Sequence, residues 1–549
     1  MRYVRRFLLI AVVSSALIAT ALPSVARAAG PSVLTASQKL VSTTRVDGDR
    51  FGNAVGVCGD WAIIGAPEAS SATGAVSFAT RSRTGWAVTQ RLLGLETGYA
   101  EAGYSVAISG DTAVVGAPYA NTEAGRVHVL VRSGLVWVPQ AVLTPSDASS
   151  YDHFGWSVAI DGSTVVVGAP GKNSDTGRAY AFVRSGTSWG QQEALIQTDG
   201  ASDDNYGWSV AVSGDTAIVG SPMDDHTSSD GGTAYVWTRS GSDWTLRTEV
   251  PSPSSDDGDR FGTSVALDGG TAVIGAPYDD SATVTNCGSA FVFTGSGAVW
   301  SQQARLWAPV PGSSEFFGDS VGVDGDIAVI GAPQDDFQGF WSGGAYYYLR
   351  SGTAWSVGAG LARPEIAAYD NYGNAVDVQG GTAFVGSIRD DSYRGSAYVY
   401  FTPRTIVHRF YNPSAGTHFY TDSAEEAWTV LVTWPDIFTY EGVVYTLDPA
   451  LNTQVLYRFY KPSSASHFYT GSLAEKNQVV ATLSHIYNYE GTTYSISPVY
   501  AVGKPPVYRF YNVRNGSHFY TVSAAEKAHI QATWPHIYTY EGIAFWLGQ

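Results

Sequence analysis

The sequence is poor in cysteine, in charged residues and in long apolar runs. Its 549 residues include two cysteines, Cys58 and Cys287, which are too few for a disulfide framework. Charged residues make up 15% of the chain and aromatic residues 13%, and this balance excludes a disordered chain. Acidic residues outnumber basic ones, 49 to 32, so the formal net charge is −17. Nucleic acids and anionic membranes are bound by basic surfaces, so we expect neither as a partner.

The first segment of the chain has the layout of a secretory signal peptide. Three arginines within the first six residues precede an apolar run at 7–22, and the alanines at positions 26 and 28 form a small-x-small cleavage site. The run is short for a membrane anchor, and no second apolar stretch of spanning length follows. We therefore predict a signal peptide over residues 1–28, a secreted or cell-surface protein, and no membrane span.

The next 375 residues, 29–403, contain seven copies of one sequence frame. An aromatic residue and a glycine are followed, 13 residues later, by Gly-Ala-Pro or a close variant, and the frame recurs every 51 to 56 residues. Copy two has alanine in place of the aromatic residue. The copies begin at Phe51, Ala102, Phe154, Tyr206, Phe261, Phe317 and Tyr372.

Each copy has the pattern of four short strands joined by glycine-rich hairpins, which predicts one blade of a β-propeller. Copies one to six end in a segment that contains tryptophan, whereas copy seven leaves the array after residues 397–400. Residues 36–40 resemble the fourth strand of copy three at 191–195. The N-terminal strand is therefore predicted to complete the last blade.

The frame resembles the FG-GAP repeats of the integrin α-chain propeller and its bacterial relatives, over residues 34–402. The resemblance implies a seven-bladed propeller used for extracellular binding and adhesion. Calcium-binding members carry an Asp-rich loop between the two halves of the frame, but here a tight hairpin, such as residues 109–111 or 324–326, takes that place. So tight a turn cannot supply six to eight oxygen ligands. We expect no calcium there and no other cofactor.

Acidic residues gather in two loops of most copies. Aspartate precedes the frame aromatic by two positions in five copies, and aspartate pairs follow the second half of the frame in four copies. In a four-stranded meander these loops lie on the same face, where they could form a surface for a cation or a basic ligand. The alternative, which we favour, is solvation and turn capping. The pairs are Asp224 and Asp225, Asp279 and Asp280, Asp335 and Asp336, and Asp390 and Asp391.

The opposite face repeats an arginine five residues before a tryptophan. This pattern predicts cation–π support of a hairpin and indicates no glycosidase. The arginines are Arg81, Arg132, Arg184, Arg239 and Arg350.

Residues 404–549 contain a second array, of three copies. Each copy has Arg-Phe-Tyr, then His-Phe-Tyr-Thr, a Ser-x-x-Glu capping box and finally Tyr-Glu-Gly. The pattern predicts strand, strand, helix and strand in each copy, and hence a pseudo-threefold α+β repeat domain. It resembles a repeat family of unknown function that occurs on secreted bacterial proteins, often beside hydrolases.

Three interpretations of the residues that repeat in this array remain open. The histidines could hold a metal ion, the tyrosines and glutamates could bind sugar, or arginine, histidine and glutamate could form hydrogen-bonded pairs repeated by duplication. The last is favoured, and no metal site is predicted. The candidate ligand-binding residues are Tyr440, Glu441, Tyr489, Glu490, Tyr540, Glu541, His418, His467 and His518.

We identify no catalytic set of residues: the chain lacks His-Glu-x-x-His and a phosphate-binding loop. We predict a mainly β, secreted, non-catalytic binding or adhesion protein whose partner is an extracellular protein or a polysaccharide. Its C-terminal repeats would be a carbohydrate-binding module. The alternatives are a targeting component of a polysaccharide-degrading system, or a hydrolase that acts at the propeller axis.

Overall fold

The computed structural model describes residues 33–44, 46–82, 85–226, 228–254, 256–336, 340–365, 367–401, 405–421, 430, 434, 436–447, 454–464, 466–496 and 506–546. The predicted signal peptide and the capping box of the first C-terminal copy, residues 423–426, lie outside these ranges. No helix in the described ranges combines the length and the apolar character needed to cross a membrane.

The described residues between 33 and 401 form seven sheets, one for each copy of the frame, and all their pairings are antiparallel except that of β1. The N-terminal segment supplies β1 (Val33–Thr35) and β2 (Gln38–Leu40). Sheet one contains β3 (Val55–Cys58), β4 (Trp61–Ala66), β5 (Ala75–Ser82) and β6 (Gly85–Leu93). Sheet two contains β7 (Ser105–Ser109), β8 (Thr112–Ala117), β9 (Arg126–Ser133) and β10 (Val136–Leu143). Sheet three contains β11 (Ser157–Asp161), β12 (Thr164–Ala169), β13 (Arg178–Ser185) and β14 (Ser188–Leu195).

The remaining sheets repeat this plan. Sheet four contains β15 (Ser209–Ser213), β16 (Thr216–Ser221), β17 (Thr233–Ser240) and β18 (Asp243–Pro251). Sheet five contains β19 (Ser264–Asp268), β20 (Thr271–Ala276), β21 (Ser289–Ser296) and β22 (Val299–Leu306). Sheet six contains β23 (Ser320–Asp324), β24 (Ile327–Ala332), β25 (Gly344–Ser351) and β26 (Ala354–Ala362). Sheet seven contains β27 (Tyr372–Gln379), β28 (Thr382–Ser387) and β29 (Ser396–Phe401). Single turns with left-handed central residues follow the second strand in four sheets: α1 (Ala69–Ala72), α2 (Ala120–Glu123), α3 (Lys172–Asp175) and α4 (Asp390–Tyr393).

The N-terminal segment joins the last two sheets. Strand β2 pairs with β29, Lys39 opposite Tyr398, and so supplies the fourth strand of sheet seven, as predicted. Strand β1 pairs in parallel with β26 and adds a fifth strand to sheet six, which the sequence pattern did not predict. One short segment therefore covers the outer edges of two sheets.

The innermost strand of each sheet contacts the innermost strand of the next, and β27 of sheet seven contacts β3 of sheet one. The residue that ends each innermost strand accepts a hydrogen bond from a glycine N–H in the hairpin of the following sheet. Six of these bonds run from Gly110, Gly162, Gly214, Gly269, Gly325 and Gly380 to Cys58, Ser109, Asp161, Ser213, Asp268 and Asp324. The seventh runs from Gly59 to the amide oxygen of Gln379, at 2.9 Å, and links sheet seven to sheet one.

Polar side chains join the same sheets at the other end of the innermost strands. At five junctions a serine hydroxyl donates to the carbonyl of the frame glycine in the next sheet, at 2.7 to 2.9 Å. Copies one and seven have alanine at that position, and the preceding asparagines, Asn53 and Asn374, donate across those two junctions instead.

Both glycines of the frame are required by the close approach of neighbouring sheets. A Cβ on Gly65, the glycine of Gly-Ala-Pro in copy one, would lie 2.0 Å from the carbonyl oxygen of Gly103 in sheet two. A Cβ on Gly103, whose φ is +97°, would lie 2.5 Å from the carbonyl oxygen of Ala75. The frame aromatics are fully buried between the sheets. The frame therefore repeats because each blade packs against the next through the same residues.

On the lower face, which carries the hairpins between the first and second and between the third and fourth strands, the arginines lie near tryptophans. Arg184, Arg239 and Arg350 each lie over the tryptophan five residues later, at 5.2 to 5.9 Å from the ring centroid. Arg132 lies over Trp61 instead. The predicted cation–π contacts are thus confirmed at three of the five positions.

The second array folds into three three-stranded sheets. They contain β30 (Thr405–Asn412), β31 (Thr417–Thr421) and β32 (Thr439–Leu447); β33 (Gln454–Lys461), β34 (Ser466–Thr470) and β35 (Asn488–Ile496); and β36 (Pro506–Asn512), β37 (Ser517–Thr521) and β38 (Tyr538–Trp546). A 3₁₀ turn spans Pro462–Ser464, and helices α5 (Leu473–Thr482) and α6 (Ala524–Thr533) belong to copies two and three. Ser472 and Ser523 cap these helices by accepting the N–H of Glu475 and Glu526, as the capping boxes predicted.

A cyclic triad of tyrosines, Tyr420, Tyr469 and Tyr520, marks the pseudo-threefold axis. The hydroxyl of each donates to the main-chain carbonyl of another member, at 2.7 to 2.8 Å, and accepts the N–H of that same residue, at 2.9 to 3.2 Å. The rings meet nearly edge to face, with centroids 5.7 to 5.8 Å apart. Each hydroxyl thus satisfies main-chain groups on an edge strand of the neighbouring sheet.

Candidate functional site

In each C-terminal copy, the glutamate of Tyr-Glu-Gly lies between the arginine and the histidine that the sequence singled out. The Arg Nε to Glu Oε2 distances are 2.7 to 2.9 Å and the His Nε2 to Glu Oε2 distances are 3.3 Å. Burial alone would raise the pKa of these carboxyl groups, but the histidine and arginine partners outweigh it and hold the pKa of Glu441, Glu490 and Glu541 below the ordinary value.

These Arg–His–Glu clusters lie where one copy packs against the next. The ring of His418 lies between Tyr411 of its own copy and Phe519 of copy three, at 4.9 and 4.8 Å between centroids. Arg409 lies over the same Phe519. The other histidines pack in the same way: His467 on Tyr460 and Phe419, and His518 on Tyr511 and Phe468. Each histidine thus contacts its own glutamate, and across the described residues the three histidines form no common ligand group.

Among the tyrosines of Tyr-Glu-Gly, Tyr440 and Tyr489 are exposed and Tyr540 is half-buried. Tyr440, Tyr489 and Tyr540 pack one edge on the phenylalanine of Arg-Phe-Tyr, with centroids 5.1 to 5.2 Å apart. The ammonium groups of Lys476 and Lys527 lie over Tyr489 and Tyr540, at 5.3 and 4.6 Å. The structure therefore brings tyrosine, glutamate and histidine together in each copy, but lysines cover two of the three tyrosines.

The aspartate pairs of the propeller divide into a buried and a more exposed member. The first aspartates, Asp224, Asp279, Asp335 and Asp390, are buried. Asp224, Asp335 and Asp390 accept a tyrosine hydroxyl, and Asp279 accepts a serine hydroxyl and an arginine. Three of the second aspartates, Asp225, Asp280 and Asp336, accept main-chain N–H groups of their own loops at 2.5 to 2.8 Å, and Asp391 pairs with Lys39. Only the second members therefore contribute to the surface.

The buried acids of five sheets lie against basic residues. The pairs are Arg91 with Asp49, Arg126 with Glu96, Lys172 with Asp152, Arg305 with Asp279, and Arg363 with Asp370. In sheet four, burial and then the neighbouring Asp224 and Asp225 raise the pKa of Asp204 to about 6, and in sheet six burial and then Asp335 raise the pKa of Glu315 to about 7. Within the described residues, neither lysine nor arginine pairs with Asp199, Asp204, Asp224 or Glu249 of sheet four, whereas Arg239 pairs with Asp215 in the hairpin on the lower face.

The seven innermost strands line a central channel of about 430 Å³. Asp377 is the first candidate for a catalytic residue of a hydrolase at the axis. The residues at the same position on the other six innermost strands are glycine or alanine, which carry no ionisable group. Its carboxylate accepts the N–H groups of Val57 and Val378, at 2.7 and 2.9 Å. Burial raises its pKa to about 6 despite these bonds.

A row of aromatic rings crosses the upper face, the face that carries the loops between the second and third strands. We call Tyr99, Tyr119, Tyr104, Trp156 and Trp208 the aromatic stripe. Successive ring centroids are 5.5, 6.2, 4.7 and 4.8 Å apart, from the outer loops of sheet two to the mouth of the channel. Tyr99 is 61% exposed and the others are half-buried. Our sequence analysis missed the stripe, although an aromatic residue directly after the frame glycine in copies two, three and four signals it.

Asp319 occupies the same frame position in sheet six as Tyr104 does in sheet two. Burial raises its pKa to about 6, and its charge reaches Tyr104. No hydrogen bond to its carboxylate is found within the described residues. The mouth of the channel thus combines aromatic rings with one carboxylate.

Comparisons with known families agree with these two arrays. The FG-GAP repeat model matches residues 98–130, 137–182, 189–237, 244–293, 300–348 and 355–400. A domain of unknown function, DUF5648, matches residues 406–547. A search of curated proteins found no match. The chain is therefore an FG-GAP repeat protein of the β-propeller type that ends in a DUF5648 domain.

Proposed function

We propose that this is a secreted, non-catalytic protein that binds a polysaccharide on the aromatic stripe of its propeller. The observation that carries the proposal is the stripe itself, five rings in contact that run from an exposed loop to the channel mouth. Ligand-binding sites are lined mainly by apolar and aromatic side chains with a few polar groups beside them, as this stripe is.

The chemistry along the stripe suits a sugar chain. Sugars stack their apolar faces on aromatic rings, while polar groups beside the rings bind their hydroxyls. Such polar groups flank the stripe: Glu101 accepts the Tyr99 hydroxyl at 2.5 Å, and the imidazole of His153 lies 3.1 Å from Glu123. The rings are tilted or edge to face, so the surface is corrugated and would contact several sugar units at different angles.

The proposal includes no catalysis. Glycoside hydrolysis usually needs two carboxyl groups on either side of the scissile bond. Asp377 uses its oxygens on main-chain N–H groups, and Asp319 lies at the mouth opposite aromatic rings. Neither carboxylate is thus placed as one of a pair on either side of a sugar linkage, which favours binding over hydrolysis.

Secretion forms part of the proposal, because the N-terminal segment has the layout of a signal peptide and FG-GAP repeats are typically extracellular. The mature chain should begin near Ala29, since the alanines at 26 and 28 fit the cleavage rule. N-terminal sequencing of the protein from culture supernatant checks this, and an intact Met1 would contradict it.

Retention on insoluble polysaccharides, measured with the full mature chain, tests the binding site. Trp156→Ala together with Trp208→Ala should abolish retention, because these rings form the inner part of the stripe. Trp189→Ala is the matched control, since Trp189 lies in a hairpin on the lower face. Retention that survives the double substitution would place the site elsewhere, and no retention on any polymer would overturn the proposal.

The C-terminal candidates give a second, independent arm. Tyr440 and Tyr489 are the candidates whose rings are more than one-third exposed. Replacing both by alanine should leave retention unchanged if the stripe is the site. Loss of retention in this variant alone would move the polysaccharide site to the DUF5648 domain.

A further inference from the structure

Three potential metal ligands converge at the upper edge of sheet four. Asp199 follows β14, His226 lies between β16 and β17, and Glu249 lies on β18. One ligand atom from each falls within 4.8 Å of the others. His226 Nδ1 is 3.7 Å from Asp199 Oδ2 and 4.0 Å from Glu249 Oε2. Both distances from His226 exceed hydrogen-bond length, and both are short enough for two atoms that each lie about 2.0 to 2.2 Å from one shared ion.

In sheet three, two basic side chains neutralise the acid that corresponds to Asp199. Asp147 is its counterpart of Asp199, seven residues before the frame aromatic. Arg178 binds Asp147 at 2.5 Å, and Lys172 lies 3.5 Å from the same carboxylate oxygen. In sheet four the positions of Lys172 and Arg178 hold Asp224 and Thr233. Both positive charges are lost and one more negative charge is added.

A second comparison gives the same result on the outer strand. Glu249 lies opposite Tyr235. The residue at this register position is basic in sheets one, five and seven, where Arg91, Arg305 and Lys39 pair with buried aspartates. Sheet four therefore replaces a cation by a carboxylate at each of two sites where other sheets use a cation.

Thr233 also places a hydroxyl where sheet three has the guanidinium of Arg178. Thr233 is fully buried, and its Oγ1 has no hydrogen-bond partner. The residue at the same position in sheet five, Ser289, donates to the buried Asp279.

We propose that Asp199, His226 and Glu249 bind a divalent transition-metal ion of the Zn²⁺ type, which takes the place of the lysine and arginine of the other sheets. The imidazole ligand favours zinc and its neighbours over Ca²⁺ and Mg²⁺, which prefer oxygen ligands alone. This site differs from the sequence-based expectation of no metal, and it is independent of the polysaccharide site. The ion would tie the loop before sheet four to its outer strand.

Calorimetric titration of the chelator-treated, full mature chain with ZnCl₂ tests the proposal. Wild-type protein should bind zinc, and His226→Gln should weaken that binding by more than about tenfold, since even outer-shell changes at metal sites cost that much. His153→Gln is the matched control, because His153 also lies beside a carboxylate, Glu123, at 3.1 Å. It should leave zinc binding unchanged.

Asp224→Lys supplies the opposite test, because it restores the lysine that sheet three has at this position. It should abolish zinc binding in a protein that still folds, as cooperative thermal unfolding in the absence of zinc would show. Titration with CaCl₂ should give no binding at this site. No zinc binding by the wild-type chain, or equal affinity in wild type and His226→Gln, would overturn the proposal.

Discussion

The tyrosine triad at the pseudo-threefold axis permits a sharp test of the C-terminal fold. Tyr420→Phe keeps the ring and removes one hydroxyl. That hydroxyl donates to the carbonyl of Tyr520 at 2.7 Å and accepts its N–H at 3.2 Å. Both main-chain groups belong to an edge strand, β37, and the three rings are almost completely buried. The substitution therefore leaves two buried polar groups without their partner.

The magnitude follows from those two groups. A buried group left without its hydrogen bond costs about 1 to 3 kcal/mol, and relaxation offsets part of the sum, so we expect the free energy of unfolding to fall by about 2 to 4 kcal/mol. For a domain of this size each kilocalorie shifts the melting temperature by roughly 2 to 4 °C. The C-terminal transition should thus move down by roughly 5 to 15 °C. Tyr469→Phe and Tyr520→Phe should behave alike, because the triad is cyclic.

Differential scanning calorimetry of the full chain measures the shift. Tyr489→Phe is the control, because its ring is 43% exposed and its loss of a hydroxyl should change stability by no more than about 0.5 kcal/mol. A Tyr420→Phe transition that moves no further than that of the control would refute the reasoning. So would a strong effect at one member of the triad and none at the other two.

Three further predictions concern the ring and the ion clusters. Deletion of residues 33–40 should expose the outer edges of β26 and β29 and cause aggregation or a loss of cooperativity, and an unchanged melting curve would contradict this. Gly65→Ala should prevent soluble folding, because its Cβ would lie 2.0 Å from a carbonyl oxygen of the next sheet, whereas Gly110→Ala, with no atom within 4 Å of its Cβ, should still fold. The lowered pKa of Glu541 means that its ion pairs stabilise the domain above the unfolded glutamate pKa and that this contribution disappears as the pH falls through the folded pKa. Glu541→Gln should therefore lower the melting temperature at pH 7 and flatten its decline in acid, as pH-dependent thermal unfolding would reveal.

Much of the propeller could be predicted because its contacts repeat. The glycines of the frame are needed where sheets approach each other, so they recur in phase and reveal the blades. The pairing of β2 with β29 followed from the phase of the last copy. Strand β1 could not be predicted, because its three residues belong to no copy and its parallel pairing is set by the outer edge of β26.

The positions of the acids were harder to predict from the same pattern. Asp224 and Asp335 look like exposed turn residues, yet each is buried under the hydroxyl of a tyrosine, Tyr235 or Tyr346, that lies 11 residues later on the third strand. Only cross-strand geometry brings these groups together. The aromatic stripe, in contrast, has a signal in the sequence, an aromatic residue directly after the frame glycine in three consecutive copies. That these rings lie together at the channel mouth could be seen only in the structure.

The attachment of β2 to β29 also determines the order in which the propeller can be completed. Lys39 is made among the first residues of the described chain, but its partner Tyr398 is made some 360 residues later. Six sheets can form from consecutive residues as synthesis proceeds, whereas the seventh must wait until both ends of the array exist. Strand β1 can pair once β26 has been made, but β2 remains without its partner until β29 follows. The pairing of β2 with β29 can therefore form only after the whole array has been made, and a chain that stops before β29 would leave β2 without its partner.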